Sequence, residues 1–213
     1  MVRRSLLLLL LCAALTGCLQ SAVPPATVAV PGTPSAGSGS PSATPSRSGP
    51  DPSQPGTPAT SVPPAAGAID VARYASADFA SPSGRIWCGL HADVALCHFP
   101  FGDFQGKVPD SEEVCPEVGL DVTGIQVTGK GSEYFCSGDP SAWPVRGEKQ
   151  VDWHKGTGFP FVTFDGQRLA TLPYGRALKH GRYLCRSEIT GVTCANTSTG
   201  RGFRVARAGV VLF

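Results

Sequence analysis

Charge is scarce in this chain: Asp, Glu, Lys and Arg make up 16% of its 213 residues, against about 25% in ordinary soluble domains. Methionine occurs once, and five lysines stand against thirteen arginines. That composition, with 20 prolines and 26 glycines, excludes a coiled coil, a helical bundle and a multi-domain enzyme. Past the N-terminus no apolar run approaches the roughly 20 residues of a spanning helix. Catalytic motifs are missing too, since the chain has no G-x-S-x-G, H-E-x-x-H or G-x-G-x-x-G. No two cysteines form C-x-x-C, and His91, His98, His154 and His180 are scattered without metal spacing, so neither metal nor cofactor is expected.

What is present begins with an export signal. Met1-Val2-Arg3-Arg4 is a basic n-region, a leucine-rich h-region follows, and small residues precede Cys18. Leu15-Thr16-Gly17-Cys18 resembles the lipobox of bacterial lipoproteins. That resemblance implies cleavage after residue 17 and a diacylglyceryl thioether on the Cys18 thiol, which becomes the new N-terminus. Two acyl chains, at about 0.8 kcal/mol per buried methylene, give a stable anchor where one would not. The expected location is the outer face of the cytoplasmic membrane.

Residues 18–68 read as a tether behind the lipidated cysteine. Between positions 19 and 67 there are twelve prolines, many small residues and only two charges, Arg47 and Asp51. Such a segment has too little apolar surface to offset its conformational entropy, so disorder with polyproline character is expected. As a flexible coil it would span about 40 Å.

Residues 69–213 read as one domain with six cysteines: Cys88, Cys97, Cys115, Cys136, Cys185 and Cys194. An even number in an exported protein points to disulfides. Two pairs, Cys88 with Cys97 and Cys185 with Cys194, have eight residues between them. In each pair a two-residue loop, Ala92-Asp93 or Ile189-Thr190, would put the cysteines opposite one another on neighbouring strands, within bridging distance. Cys115 and Cys136 then pair by elimination.

The remaining text is also β-like. β-branched runs lie over 118–123 and 124–128, separated at a glycine, and 132–136 follows. Asp165-Gly166 between two apolar runs is the strongest hairpin signal, because it accepts a type I′ turn. Only 109–114 looks helical. The expected fold is a small antiparallel β-sandwich or open barrel of about eight or nine short strands, stapled by disulfides.

Several blocks together carry a resemblance: Phe79-Ala80-Ser81-Pro82-Ser83-Gly84-Arg85-Ile86-Trp87-Cys88, Leu172-Pro173-Tyr174-Gly175, Tyr183-Leu184-Cys185, Gly191-Val192-Thr193-Cys194-Ala195-Asn196 and Thr199-Gly200-Arg201-Gly202-Phe203. In that order they resemble an actinobacterial family of exported proteins and lipoproteins of unknown function. The resemblance implies envelope location and disulfides but no activity. Arg85 and Arg201 depart from it, standing where Asn and His are expected.

Weaker signals reduce to structure. The run from Gly124 to Lys130 fits a Walker A loop until Gly131 takes the place of its Ser/Thr, and its interior is strand-like. His98 falls opposite Trp87 in the hairpin register and reads as a packed imidazole. Ser137-Gly138-Asp139 reads as a turn. Asn196-Thr197-Ser198 matches a glycosylation sequon, which means little in a bacterial lipoprotein.

Charge, however, is divided along the domain. Residues 69–172 hold eight basic and fourteen acidic side chains, net −6, whereas 173–213 hold seven basic and one acidic, net +6. In the register fixed by Cys185 and Cys194, Arg182, Arg186 and Arg204 share the parity opposite the core. They are expected to form one solvent-facing strip and a candidate contact surface for an anionic envelope polymer or another envelope protein. Nucleic acid is not an expected partner. The functional expectation is a non-catalytic, membrane-tethered binding module; an extracellular hydrolase with an unrecognised site is the alternative.

Overall fold

A computed structural model of the chain describes residues 61–117 and 119–213. The expected signal sequence, Cys18 and most of the expected tether lie outside these residues. Among the described residues no helix is long and apolar enough to cross a membrane.

Among the described residues thirteen strands, numbered in chain order, form three sheets. One sheet is a five-stranded antiparallel meander: β2 (Ser76–Ala80), β3 (Trp87–His91), β4 (Ala95–His98), β5 (Val122–Val127) and β6 (Ser132–Cys136). A six-stranded sheet runs in the order β1 (Ile69–Asp70), β9 (Ala177–His180), β10 (Tyr183–Glu188), β11 (Gly191–Asn196), β12 (Gly202–Ala206) and β13 (Gly209–Leu212). All its pairings are antiparallel except β1 with β9. β7 (Phe161–Phe164) and β8 (Gln167–Ala170) make a separate hairpin. Its turn has φ of 48° at Asp165 and 72° at Gly166, the left-handed pair that a type I′ turn requires.

The two large sheets pack face to face as an open sandwich. Phe79, Cys88, Leu90, Cys97 and Ile125 from one meet Tyr183, Cys185, Val192, Cys194, Phe203 and Val205 from the other, and all are fully buried. Alternation does this: each of these side chains occupies every second position, so one face of each strand is apolar. The bridges sit where the spacing puts them. Cys88 lies opposite Cys97, with Cα atoms 4.0 Å apart, and Cys185 opposite Cys194, at 4.1 Å. Cys115 and Cys136 form the third bridge and join β6 to the one-turn helix α1 (Ser111–Val114), which Asp110 caps through Glu112 N at 2.8 Å. The two hairpin bridges meet in mid-core, Cys97 Sγ lying 3.7 Å from Cys194 Sγ.

The outer face of the five-stranded sheet is covered by the chain between β6 and β9. Ala80, Trp87 and Leu96 pack there against Ala142 and Leu169, with Trp143, Val145, Val162 and Phe164 around them. A 3₁₀ helix, Lys149–His154, packs against the edge strand β2; its Trp153 joins the core between the large sheets and donates Nε1–H to Asp78 O at 2.9 Å.

Two details differ from the sequence reading. The runs at 118–123 and 124–128 contribute to one strand, β5, because Gly124 makes room for the Phe135 ring against the sheet. β1, β2 and β9 are additional strands, which brings the total above eight or nine. Asn196 is buried, donates Nδ2–H to Thr128 O and accepts from Ser198 N, so its sequon is part of a turn.

Candidate functional site

The expected strip of Arg182, Arg186 and Arg204 is not one solvent-facing surface. Arg186 and Arg204 do occupy one cross-strand row, with Thr193 between them. Yet Leu184, Thr193 and Ala195, on the same face, are fully buried. Parity fixes which face a side chain takes, not what covers that face. Close to Ala195, the Phe213 ring lies over Gly202, where an added Cβ would come within 2.6 Å of it. Only Arg182 is exposed, in the turn before β10, with its guanidinium 5.7 Å from the Tyr183 ring centre. The Arg186 side chain, 22% exposed, pairs with Glu188 at 3.4 Å.

Arg204 instead turns toward the end of the sandwich. There the β2–β3 loop (Ser81, Ser83, Arg85), the tip of the β10–β11 hairpin (Glu188 to Gly191) and the β12–β13 turn (Ala206 to Ala208) enclose a cleft of about 510 Å³. Arg85, Arg204 and Arg207 all line it. Tyr174 and Ile189, 45% and 84% exposed, stand on its rim as two of the few large apolar side chains open to solvent.

The three arginines are not equivalent. Arg207 Nε is 2.9 Å from Asp103 Oδ1. Arg85 and Arg204 have no carboxylate partner among the described residues. Each donates to backbone only, Arg85 Nη1 to Phe101 O at 2.8 Å and Arg204 Nη1 to Thr190 O, while Arg204 Nε is buried without a partner. A guanidinium has five N–H donors, so both keep donors for an anion. The acidic part of the domain does not neutralise the basic part. Of the seven basic residues in 173–213, only Arg207 pairs with an acidic residue of 69–172 among the described residues.

Burial shifts two titratable groups far, His98 and Asp78, and both pack into the fold. His98 is buried between Phe101 and Phe135, and its Nε2 accepts from Ser141 N at 2.7 Å. Burial drives its pKa down to about 4. Asp78, unremarked in the sequence, is the most perturbed carboxyl. It is 2% exposed, accepts from Trp143 N through Oδ2 at 2.7 Å, and burial pushes its pKa up to about 7. Its Oδ1 has no hydrogen bond. Gly89, opposite Asp78, makes the space: a Cβ there would stand 2.8 Å from Asp78 Oδ1 and 3.2 Å from His91 Nε2. With Trp143 N and Trp153 Nε1 both bound to it, Asp78 pins the covering segment to the sheet.

Among the described residues no histidine hydrogen-bonds a serine, threonine or tyrosine hydroxyl: His154 and His180 contact the backbone oxygens of Pro160 and Tyr74. Ser137 donates its hydroxyl to Asp139 O inside its turn. The sulfurs of Cys88, Cys97 and Cys194 lie within 4.8 Å of one another, but all three are disulfide-bonded and offer no thiolate to a metal. Sequence reading reached Arg204 through strand parity. It missed Arg85 and Arg207 as its neighbours, since loops from opposite ends of the domain sequence supply them. No family model, curated protein or solved structure matches the chain.

Proposed function

We propose that this protein is a membrane-tethered, non-catalytic binding module of the cell envelope, whose ligand is an anionic polymer carrying phosphate or carboxylate groups. The observation that carries the reading is the end cleft, which Arg85 and Arg204 both line without an ion-pair partner, while its two carboxylates, Asp103 and Glu188, are taken by Arg207 and Arg186. Guanidinium forks suit the planar, bidentate geometry of both anions. Hydrogen bonds to charged groups contribute about 1.5–3 kcal/mol each, so losing one corresponds to roughly a 10- to 100-fold change in affinity.

Arg85→Gln and Arg204→Gln should each weaken binding of a poly(glycerol phosphate) oligomer by at least about ten-fold. Arg182→Gln, at the distant turn, should change it little. Equal losses from all three would reduce the interaction to diffuse charge attraction. Unchanged affinity with a melting temperature several degrees lower would make the arginines purely structural.

The tether half of the proposal rests on the lipobox and on the resemblance to exported lipoproteins. Cys18→Ser should move the protein from the membrane fraction to the medium. Full membrane retention of that variant would contradict lipid anchoring.

A further inference from the structure

Arg85 also lines a second cleft, of about 530 Å³, whose other walls are Phe101, Trp143, Phe164 and an edge of Trp87, with Asp165 and Gln167 as its polar members. The rings meet at angles: Trp87 and Trp143 are edge-on at 5.4 Å, Trp87 and Phe101 are tilted at 4.7 Å, and Phe101 and Phe164 are tilted at 6.5 Å. Phe101, Trp143 and Phe164 are only half-buried. Arg85 is held at this wall by its bond to Phe101 O and by the Phe164 ring, whose centre is 5.4 Å from the guanidinium carbon.

We propose that the two clefts form one composite site for an acidic saccharide, with the sugar ring against the aromatic wall and the anionic group at Arg85 and Arg204. The proposal rests on the reading of the arginine cleft as an anion site and names the ligand class. A bare anion would leave the aromatic wall unused. A wholly apolar ligand would strip water from Asp165, Gln167 and Arg85 without replacing their hydrogen bonds. A pyranose meets both demands. Its C–H face packs on an aromatic ring, and its hydroxyls find the Gln167 amide, which donates and accepts, and the Asp165 carboxylate, which accepts. Arg85 lines both clefts, so it serves the sugar and the charge together.

The test uses the intact protein, calorimetry and tryptophan fluorescence, with three probes: a phosphorylated trisaccharide, the same trisaccharide without phosphate, and inorganic phosphate. The phosphorylated trisaccharide should bind at least ten-fold tighter than either of the others and alter tryptophan emission. Gln167→Ala should reduce that affinity several-fold while leaving phosphate binding unchanged. A phosphorylated trisaccharide that binds no tighter than phosphate would overturn the composite site and leave the arginine cleft an anion site. If the neutral trisaccharide binds as tightly as the phosphorylated one, the shared role of Arg85 and Arg204 is wrong. Failure of both phosphate-bearing probes would overturn the anion site itself.

Discussion

Asp78→Asn is expected to raise the melting temperature at pH 8 by about 10 °C, an unusual gain from altering a buried side chain. Asp78 is 2% exposed and its pKa is pushed up to about 7 by burial. A rise of about three units corresponds to roughly 4 kcal/mol between the protonated and ionised forms. The folded state therefore holds the proton more tightly than the unfolded chain, where the group titrates near its ordinary 3.8. Its stabilising effect is complete below about pH 4 and is lost as pH rises through about 7. Asparagine stays neutral throughout and keeps an oxygen for Trp143 N. His98 acts with the opposite sign, because its pKa, lowered to about 4, makes the fold lose stability as pH falls below 6.5. Burial lowers His91 and His154 as well, so they act with His98. In the native protein Asp78 offsets part of this acid lability. In Asp78→Asn the histidines act alone, and urea unfolding between pH 4.5 and 8 should give the steeper acid-side decline. A variant less stable than the native protein at pH 8 would mean that the fold stabilises the ionised Asp78 carboxylate, contrary to a raised pKa.

Removing both hairpin bridges, by replacing Cys88, Cys97, Cys185 and Cys194 with alanine, is expected to leave the domain unfolded at 37 °C. Each bridge contributes about 3 kcal/mol on the loop-entropy model, and ordinary domains hold only about 5–15 kcal/mol in total. The loss is concentrated at one point, since Cys97 and Cys194 touch at 3.7 Å in the middle of the core. Four missing sulfurs there would leave a shared cavity, and neighbours in contact do not behave additively. Opening Cys115–Cys136 should be milder, because that bridge joins a one-turn helix to β6, the edge of its sheet. Circular dichroism and limited proteolysis would separate these outcomes. If the four-alanine variant melted within about 5 °C of the native protein, the bridges would be incidental to the core.

The sandwich was most legible where chemistry constrains register. A two-residue loop between cysteines nine positions apart fixes which residues face each other, and both hairpins follow that rule. Asp165-Gly166 likewise names its own turn. Strands without such a marker were hidden. β1 has only two residues, and β9 (Ala-Leu-Lys-His) contains no β-branched residue. β2 places Asp78 on its outward parity, where a charged residue ordinarily meets water; only the segment carrying Ala142 and Trp143, packed over that face, makes the position an interior one. The arginines show the same division. Parity identified the row containing Arg186 and Arg204 but could not show that Glu188 would take one and Thr190 O a donor of the other. The cleft is a product of topology, because sheet packing alone brings the loop of Arg85 beside the turn of Arg207.

The most direct measurement is a titration of the ¹⁵N-labelled protein with a poly(glycerol phosphate) oligomer, following the arginine Nε–H signals by NMR at low and high salt. Anion binding in the end cleft predicts that Arg85, Arg204 and Arg207 shift together with the amides of Thr190 and Gly191, that Arg182 does not, and that added salt reverses the shifts. Shifts spread evenly over all exposed arginines, or confined to Arg182 and its turn, would contradict it.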